Sequence, residues 1–357
     1  MADWTMLPKE LLQLISEKLN SEFYRIRFRS VCSTWRFSIP KPYNPFPFYL
    51  PQFPDSSSSS IYSRDSDIHK LDKHNIFILK PPTTPNQQTL YRPWLVRISP
   101  TSSGKFNLWH PLSRNSLNIP YDSSVLDISQ LSVFDIAQMY DLSTPVAVFH
   151  GEEFMGSVAT FQGEEILDIV TQGYSGEMVM LRHGDDSWKQ IPNEAHFYHD
   201  ICIFKGRPCL ADGTGRTVMI GSNLSVHLVA EPVYGGYLYG DIKIMVEYES
   251  ELLLVHKQGY HHRGDLRIDV FRVDQKEKKW LRLANLGDTV VFFGQCHSFT
   301  ASALDLGFDK GNFVIHFNNN DMSIFHLDQR QNSLLSDYPD YLKLFWPPPE
   351  WIISRCL

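Results

Sequence analysis

Residues 5–40 read TMLPKELLQLISEKLNSEFYRIRFRSVCSTWRFSIP, and this stretch decides how the rest of the chain is organised. Apolar residues recur at helical spacing in its first half, which predicts an amphipathic helix with one wide apolar face. They are Leu7, Leu11, Leu12, Ile15 and Leu19. Pro8 suits a first helical turn, where a missing N–H costs nothing. Two shorter helices should follow, and Pro40 ends the second of them.

The stretch carries more apolar surface than a segment of about 35 residues buries alone. It therefore needs a cover, which is either the rest of the chain or a second protein. In the first alternative the segment is an amphipathic helical hairpin packed on its own domain. The order of the residues favours the second.

A series of residues along the stretch indicates a docking role. The series is Leu7-Pro8, Glu10-Leu11-Leu12, Ile15, Leu19, Arg27 and Val31-Cys32-x-x-Trp35-Arg36. In this order it resembles an F-box, the small helical module by which substrate receptors dock on a cullin–RING ubiquitin ligase. The resemblance implies binding to a Skp-family adaptor, and through it to a cullin, by nine residues. These are Leu7, Pro8, Leu11, Leu12, Ile15, Leu19, Val31, Cys32 and Trp35.

Composition bounds the rest of the chain. Of the 357 residues, 43% are hydrophobic and 20% charged, which is typical of globular proteins. The net charge of −7 argues against nucleic acid or an anionic membrane as the main partner. Residues 1–41 hold seven Lys or Arg and four Asp or Glu, hence +3, which leaves −10 for the remainder. A basic module on an acidic body fits an acidic adaptor.

Cysteine use and hydropathy indicate a compartment. The five cysteines are scattered and form no C-x-x-C pair, which indicates a reducing environment without disulfides or structural zinc. No signal peptide precedes the first helix, and no apolar run approaches the length of a membrane span. We therefore expect a protein of the cytoplasm, the nucleus or both, without membrane contact.

The composition changes after Pro40. Six prolines fall between residues 40 and 54, interleaved with aromatic residues, and the serine run 56–60 follows. No helix survives this proline density, and a serine run is flexible. The aromatic residues favour a strap that lies on the surface of the next domain. Residues 41–60 are thus predicted as a linker or strap.

From residue 61 to residue 346 the pattern is that of β-structure. Short apolar runs such as Leu252–Val255 and Val290–Phe293 are separated by turn residues. No helical stripe of comparable length appears, which excludes a parallel α/β sheet. A strand–turn–strand unit recurs around Trp109, Trp188 and Trp280. Its spacing predicts propeller blades of about 40–50 residues, hence roughly six blades, with a pair of sandwiches as the alternative.

The last third carries a second resemblance. Its motifs are Trp280-Leu-Arg-Leu283, Asn285-Leu-Gly-Asp288, Val291-Phe-Phe-Gly294, Lys310-Gly-Asn312, Ile324-Phe-His-Leu327 and Pro347-Pro-Pro-Glu-Trp351. Their order is similar to that in plant F-box proteins of the KIB/SKIP type, which carry a C-terminal propeller of uncharacterised function. The resemblance implies an α+β multidomain protein. It would comprise a three-helix F-box in residues 1–40, an all-β propeller in 61–346 that recognises a substrate, and a closing segment in 347–357.

Signatures of catalysis are missing from the sequence, which contains no G-x-S-x-G, G-x-x-x-x-G-K-[ST] or H-E-x-x-H motif. On one strand, His196 and Asp200 would share a face as metal ligands. Histidine beside aromatic residues in a β domain is more often packed or exposed, however. The cluster Lys276–Lys279 is most simply a solvated turn, with a nuclear-import signal as the alternative. We predict no catalytic residue, no cofactor and no metal.

These observations predict a non-catalytic receptor: the substrate-recognition subunit of an SCF-type E3 ubiquitin ligase. The F-box would dock on the adaptor, and the propeller would bind an unknown protein substrate for ubiquitination. Two alternatives stay open. One is an F-box scaffold that acts outside a ligase, and the other is a propeller enzyme or small-ligand binder.

Overall fold

The computed structural model describes most of the chain in two units. The described residues are 4–19, 22–38, 48–51, 70–80, 92–100, 106–113, 132–142, 148–149, 152–153, 157–162, 165–173, 177–192, 198–233, 241–258, 266–294, 297–318, 321–345, 347 and 349. They divide into a unit within residues 4–38 and a unit within residues 48–349. None of the helices in these ranges is long and apolar enough to cross a membrane.

The first unit is a group of three helices that follows a 3₁₀ turn at Trp4–Met6. The helices are α1 (Lys9–Glu17), α2 (Glu22–Ser30) and α3 (Ser33–Ser38). The Pro8 carbonyl accepts the Leu12 N–H at 3.1 Å, so proline stands just before the first turn, where it costs no hydrogen bond. Leu12 and Phe28 form the buried centre. The prediction of three short helices is confirmed.

Within its described residues, the second unit contains five sheets of four or five strands, which we number as blades 1–5, and one two-stranded sheet. Blade 1 consists of β1 (Phe48–Tyr49), β2 (Lys70–Lys80), β3 (Trp94–Pro100), β4 (Phe106–Trp109) and β5 (Ser132–Leu142). The hairpin β6 (Val148–Phe149) and β7 (Glu152–Glu153) comes next along the chain. Blade 2 consists of β8 (Ser157–Gln162), β9 (Glu165–Gln172), β10 (Met178–Arg182) and β11 (Lys189–Gln190).

The remaining blades follow in chain order. Blade 3 consists of β12 (Tyr198–Phe204), β13 (Arg207–Asp212), β14 (Thr217–Ile220) and β15 (Val226–Ala230). Blade 4 consists of β16 (Ile242–Tyr248), β17 (Glu251–Gln258), β18 (Arg267–Asp274) and β19 (Lys279–Leu283). Blade 5 consists of β20 (Thr289–Phe293), β21 (Ser298–Ser302), β22 (Phe313–Asn318), β23 (Asp321–His326) and β24 (Gln331–Leu334). The short helices α4 (Ala303–Leu306) and α5 (Pro339–Leu342) accompany blade 5.

Each blade is packed between two neighbours, which explains its apolar runs. In β20, Val290 and Phe292 belong to a cluster shared with blade 1. The alternate residues, Val291 and Phe293, belong to a cluster shared with blade 4. Successive side chains of a strand point to opposite faces, so a strand covered on both faces is apolar throughout. The predicted strand at Val290–Phe293 is thereby confirmed.

The five blades form a closed ring. The strands β5, β8, β12, β16 and β21 each contact the next, and β21 contacts β5. Edge strands that meet in this way are the inner strands of a propeller, so the propeller is confirmed over the sandwich pair. The described residues form five blades, one fewer than the roughly six that the sequence predicted. That prediction divided residues 61–346 by a blade-sized repeat, whereas blade 1 alone extends from Phe48 to Leu142 and is far longer than one such repeat.

Blade 5 closes the ring on blade 1 through the chain that follows β24. The Leu95 N–H in β3 donates to the Leu344 carbonyl at 2.8 Å. Beside it, the Trp94 indole N–H donates to the Phe345 carbonyl at 2.6 Å, and both side chains are fully buried. Residues 335–345 therefore join blade 5 to blade 1. Of the closing segment predicted at 347–357, all but residues 347 and 349 lie outside the described residues.

Strand β1 falls within the predicted strap. It pairs with β2 at Lys70 and Leu71. Two residues further on, the Pro51 carbonyl accepts the Trp188 indole N–H of blade 2 at 3.0 Å. Residues 48–51 therefore bond to two blades, as a strap on the propeller surface would. The serine run lies outside the described residues.

Candidate docking surface on the helical module

Trp35 organises the helical unit. Its ring lies 4.4 Å, centroid to centroid, from the ring of Phe28. Its indole N–H donates to the Trp4 carbonyl at 3.0 Å, which ties α3 to the 3₁₀ turn. The side chain is only partly buried, so it combines internal packing with an accessible surface. Trp35 was predicted to contact an adaptor, and the structure leaves part of the ring accessible for that contact.

Helix α1 has two apolar faces. Leu12 has no exposed surface and packs against Phe28. Its neighbour Leu11 is 46% exposed, and Leu14 and Ile15 are exposed as well. Residues 11, 14 and 15 are spaced i, i+3 and i+4, so they form one side of the helix. Leu12 therefore belongs to the core and offers no surface to a partner in this structure, whereas its predicted contact with the adaptor stays a prediction.

The other predicted contact residues divide in a similar way. Pro8 and Val31 are exposed. Leu7 and Leu19 are partly buried and pack against the Leu12–Phe28 core, and Cys32 is also partly buried. The structure thus leaves eight of the nine predicted residues with some accessible surface.

Four exposed apolar residues of this unit are missing from the predicted set. They are Trp4, Met6, Leu14 and Phe37. The spacing of Leu14 from Leu11 was the available signal, since it marks a second stripe beside the one that contains Leu12. Nothing in the local sequence separates Phe37 from a core residue of α3, because its exposure depends on how the three helices pack.

Exposed apolar side chains are concentrated on this small unit. In the described parts of the chain, twelve large apolar residues are exposed, and seven of them belong to residues 4–38. We call these seven the exposed apolar set: Trp4, Met6, Leu11, Leu14, Ile15, Val31 and Phe37. An exposed apolar area of this kind marks a surface that binds another protein. The driving force for such binding is the removal of water from apolar side chains of both partners.

Two arginines hold the junction between α2 and α3. Arg29 Nη1 donates to the Arg36 carbonyl at 3.0 Å, and Arg36 Nε donates to the Arg29 carbonyl at 3.3 Å. This reciprocal pair brackets Val31 and fixes the position at which it is exposed. Two of the basic residues of this unit therefore hold α2 and α3 in their relative position, in addition to contributing to its positive charge.

The metal hypothesis for residues 196–200 finds no support in the described ranges, which contain no group of three His, Cys, Asp or Glu arranged to hold an ion. Asp200 accepts a hydrogen bond from the Met245 N–H, and burial raises its pKa to about 7. Burial likewise lowers the pKa of His199 to about 4. His196 lies outside the described residues. Packing, the alternative interpretation, fits Asp200 and His199.

Known proteins share both parts of this architecture. The F-box domain family matches residues 4–46, and the KIB1-4 beta-propeller family matches residues 58–332. The chain is similar to F-box protein SKIP23 of Arabidopsis thaliana, at 30% identity over 99% of this chain and 97% of the relative. It is also similar to F-box protein At2g17036 of the same plant, at 27% identity over 99% and 96%. A third relative there, the putative F-box/kelch-repeat protein At5g24040, is 24% identical over 99% and 100%.

A helical docking module joined to a five-bladed propeller therefore defines the class of protein. The chain belongs to the family of F-box proteins that carry a KIB1-4 beta-propeller. The resemblance to plant F-box proteins that the sequence predicted is confirmed.

Proposed function

We propose that the protein is the substrate-recognition subunit of an SCF-type cullin–RING ubiquitin ligase. Its F-box docks on a Skp-family adaptor, and its propeller binds a protein destined for ubiquitination. The observation that carries this proposal is the exposed apolar set on the F-box helices. F-box proteins are typically non-catalytic adaptors, which supports a receptor role without chemistry of its own. We also propose that it acts in the cytoplasm, the nucleus or both, which imaging of a fluorescent fusion tests.

The docking energy would come from burial of a few apolar side chains. Each large apolar side chain that becomes fully buried contributes about 1.5–3 kcal/mol. Binding energy is usually concentrated in a small central group of residues. Leu11, Leu14 and Ile15 form such a group on α1, and the accessible part of Trp35 adds to it. Leu12 supports this surface from below without touching the partner.

The receptor accelerates ubiquitin transfer by proximity. A target held on the propeller is tethered within reach of the charged ubiquitin-conjugating enzyme. Tethering turns the encounter of a target lysine with the ubiquitin thioester into an intramolecular event at high effective concentration. Bond making and breaking remain with the other subunits, so no side chain of this chain needs an activated pKa.

Co-purification with a Skp-family adaptor tests the proposal. We expect the full chain to retain the adaptor and the double variant Leu11→Asp/Leu14→Asp to lose it, by about a hundredfold or more in affinity. Both positions are exposed, so the fold should persist and circular dichroism should be unchanged. Leu304→Asp is the matched control, because Leu304 is an exposed leucine on the propeller. It should retain the adaptor.

The possible results separate the functions. A wild-type chain that binds no adaptor overturns the proposal. A chain that binds the adaptor while no cullin is recovered would be an F-box scaffold outside a ligase. A stoichiometric metal or metabolite in the purified protein would favour a small-ligand binder.

A further inference from the structure

Three arginines converge on one carboxylate between blades 4 and 5. In blade 4, Arg267 Nε donates to Asp269 Oδ2 at 2.9 Å, and Arg282 Nη2 donates to Oδ1 of the same residue at 2.5 Å. From the turn between β23 and β24 of blade 5, Arg330 Nη2 donates to the same Oδ1 at 3.2 Å. Since Arg282 and Arg330 bond the same oxygen, their guanidinium groups lie side by side.

The cluster is buried on one side and open on the other. The Asp269 side chain is 1% exposed, whereas the three arginine side chains are between 42% and 49% exposed. The carboxylate therefore lies beneath the guanidinium groups, which present their outer edges to solvent. Burial alone would raise the pKa of Asp269, but Arg330, Arg267 and Arg282 outweigh it and hold that pKa below its usual value. With the carboxylate ionised, the cluster carries a net charge of +2.

Most donors of this cluster are unused. A guanidinium group has five N–H donors in a planar fork. Each of these three side chains donates one hydrogen bond to Asp269 and makes no other within the described parts of the chain. The remaining N–H groups have no acceptor among the described residues. They form a concentrated set of donors on a unit whose sequence is otherwise acidic.

A purely structural role would need fewer arginines. A buried carboxylate needs one paired cation to offset its desolvation, and a single bidentate arginine supplies it. The second and third arginines repel each other at close range without adding a needed partner. Arg330 also has a left-handed backbone, with φ of 53°, which few non-glycine residues adopt. Excess positive charge held in this way suits an anion that arrives from outside.

We propose that this arginine cluster binds the phosphate group of a phosphorylated side chain on the protein that the propeller recognises. A phosphorylated residue brings about −1.5 to −2 charges and three strong acceptor oxygens, which match a net charge of +2 and three guanidinium groups. A carboxylate would supply one charge and two oxygens. The inference rests on the proposed function, because it names a class of substrate for the same propeller.

Fluorescence anisotropy of the full chain at low salt tests this. The probe is a fluorescein-labelled Gly-Ser-Gly-phosphoserine-Gly-Ser-Gly peptide, and its unphosphorylated form is the comparison. We expect the phosphopeptide to bind at least about tenfold more tightly. Arg330→Gln should remove most of this difference while Arg267 and Arg282 still pair with Asp269. Arg272→Gln is the matched control, because Arg272 lies on the other face of β18, pairs with Glu251 and loses the same single charge.

Several results would overturn the inference. Equal affinity for the two peptides removes the phosphate requirement, and an equal loss in Arg272→Gln shows that only overall charge matters. Complete displacement of the phosphopeptide by equimolar inorganic phosphate means that the cluster holds a small anion instead of a protein segment. If Arg330→Gln lowers the melting temperature markedly, Arg282→Gln repeats the comparison with the other two arginines in place.

This test is independent of the adaptor. Phosphopeptide binding needs no Skp-family protein, so the two proposals fail separately. Loss of adaptor binding with phosphopeptide binding retained overturns the ligase role alone. Adaptor binding without phosphopeptide discrimination overturns only the role of the arginine cluster.

Discussion

At the scale of single residues, two adjacent leucines of α1 have opposite environments. Leu12 is sealed in the core of the helical unit, and Leu11 is largely exposed beside it. The sequence could predict the stripe but not this division, because both leucines fit helical spacing. Which side of α1 faces inward depends on where Phe28 and Trp35 are brought by α2 and α3. Eight of the nine predicted contact residues nevertheless keep accessible surface.

Leucine-to-alanine changes at these two positions should therefore differ sharply. Leu12→Ala should destabilise the helical unit by about 2–5 kcal/mol, since it leaves a cavity against Phe28. Leu11→Ala should change the stability by about 0.5 kcal/mol or less, because the side chain is exposed. Hydrogen exchange with mass spectrometry of peptides from residues 4–38, in the full chain, measures both. Similar protection in the two variants would place Leu12 outside the core.

At the scale of elements, the sequence predicted the strands that short apolar runs indicate. Runs such as Leu252–Val255 and Val290–Phe293 are strands, as predicted, because burial on both faces leaves a continuous apolar stretch. The blade count and the position of the closing segment could not be predicted from local sequence pattern. The Trp94–Phe345 hydrogen bond joins residues far apart in the sequence, and no local periodicity identifies such partners. Likewise, no sequence motif predicted that arginines from two blades would bind Asp269.

The closure between β3 and the chain after β24 can be tested by removing one indole hydrogen-bond donor. Trp94→Phe keeps an aromatic ring but leaves the buried Phe345 carbonyl without its donor. We expect a loss of about 1–3 kcal/mol in the free energy of unfolding, measured by urea denaturation. Trp109→Phe in the same blade is the control. Its indole N–H donates at 2.9 Å to the Ser99 hydroxyl, which can rotate to another partner, so its loss should be smaller. A larger loss in Trp109→Phe than in Trp94→Phe would show that the Trp94–Phe345 hydrogen bond does not hold the propeller ring closed.

At the scale of the whole molecule, the packing of blades keeps several titratable groups neutral. Burial lowers the pKa of His110, His199 and His316 to about 4 in each case. His110 is next to blade 1, His199 is in blade 3 and His316 is in blade 5, so the effect is spread around the ring. Asp200 acts in the opposite direction, since burial raises its pKa to about 7.

These shifts predict that the propeller loses stability on acidification. Between pH 6.5 and 4 the unfolded chain binds protons at the three histidines that the folded chain excludes, so the free energy of unfolding falls as the pH falls. Each histidine contributes up to about 1.4 kcal/mol per pH unit, and Asp200, which holds a proton only when folded, offsets one of them.

Urea denaturation at pH 7, 6 and 5 measures the slope. His316→Gln should lower the stability at pH 7, because the Asn332 Oδ1 that lies 2.9 Å from its Nε2 loses that partner, and should also make the slope shallower. The same change at the exposed His227 should leave the stability at pH 7 nearly unchanged. A stability that rises on acidification would contradict the lowered pKa values of the three histidines.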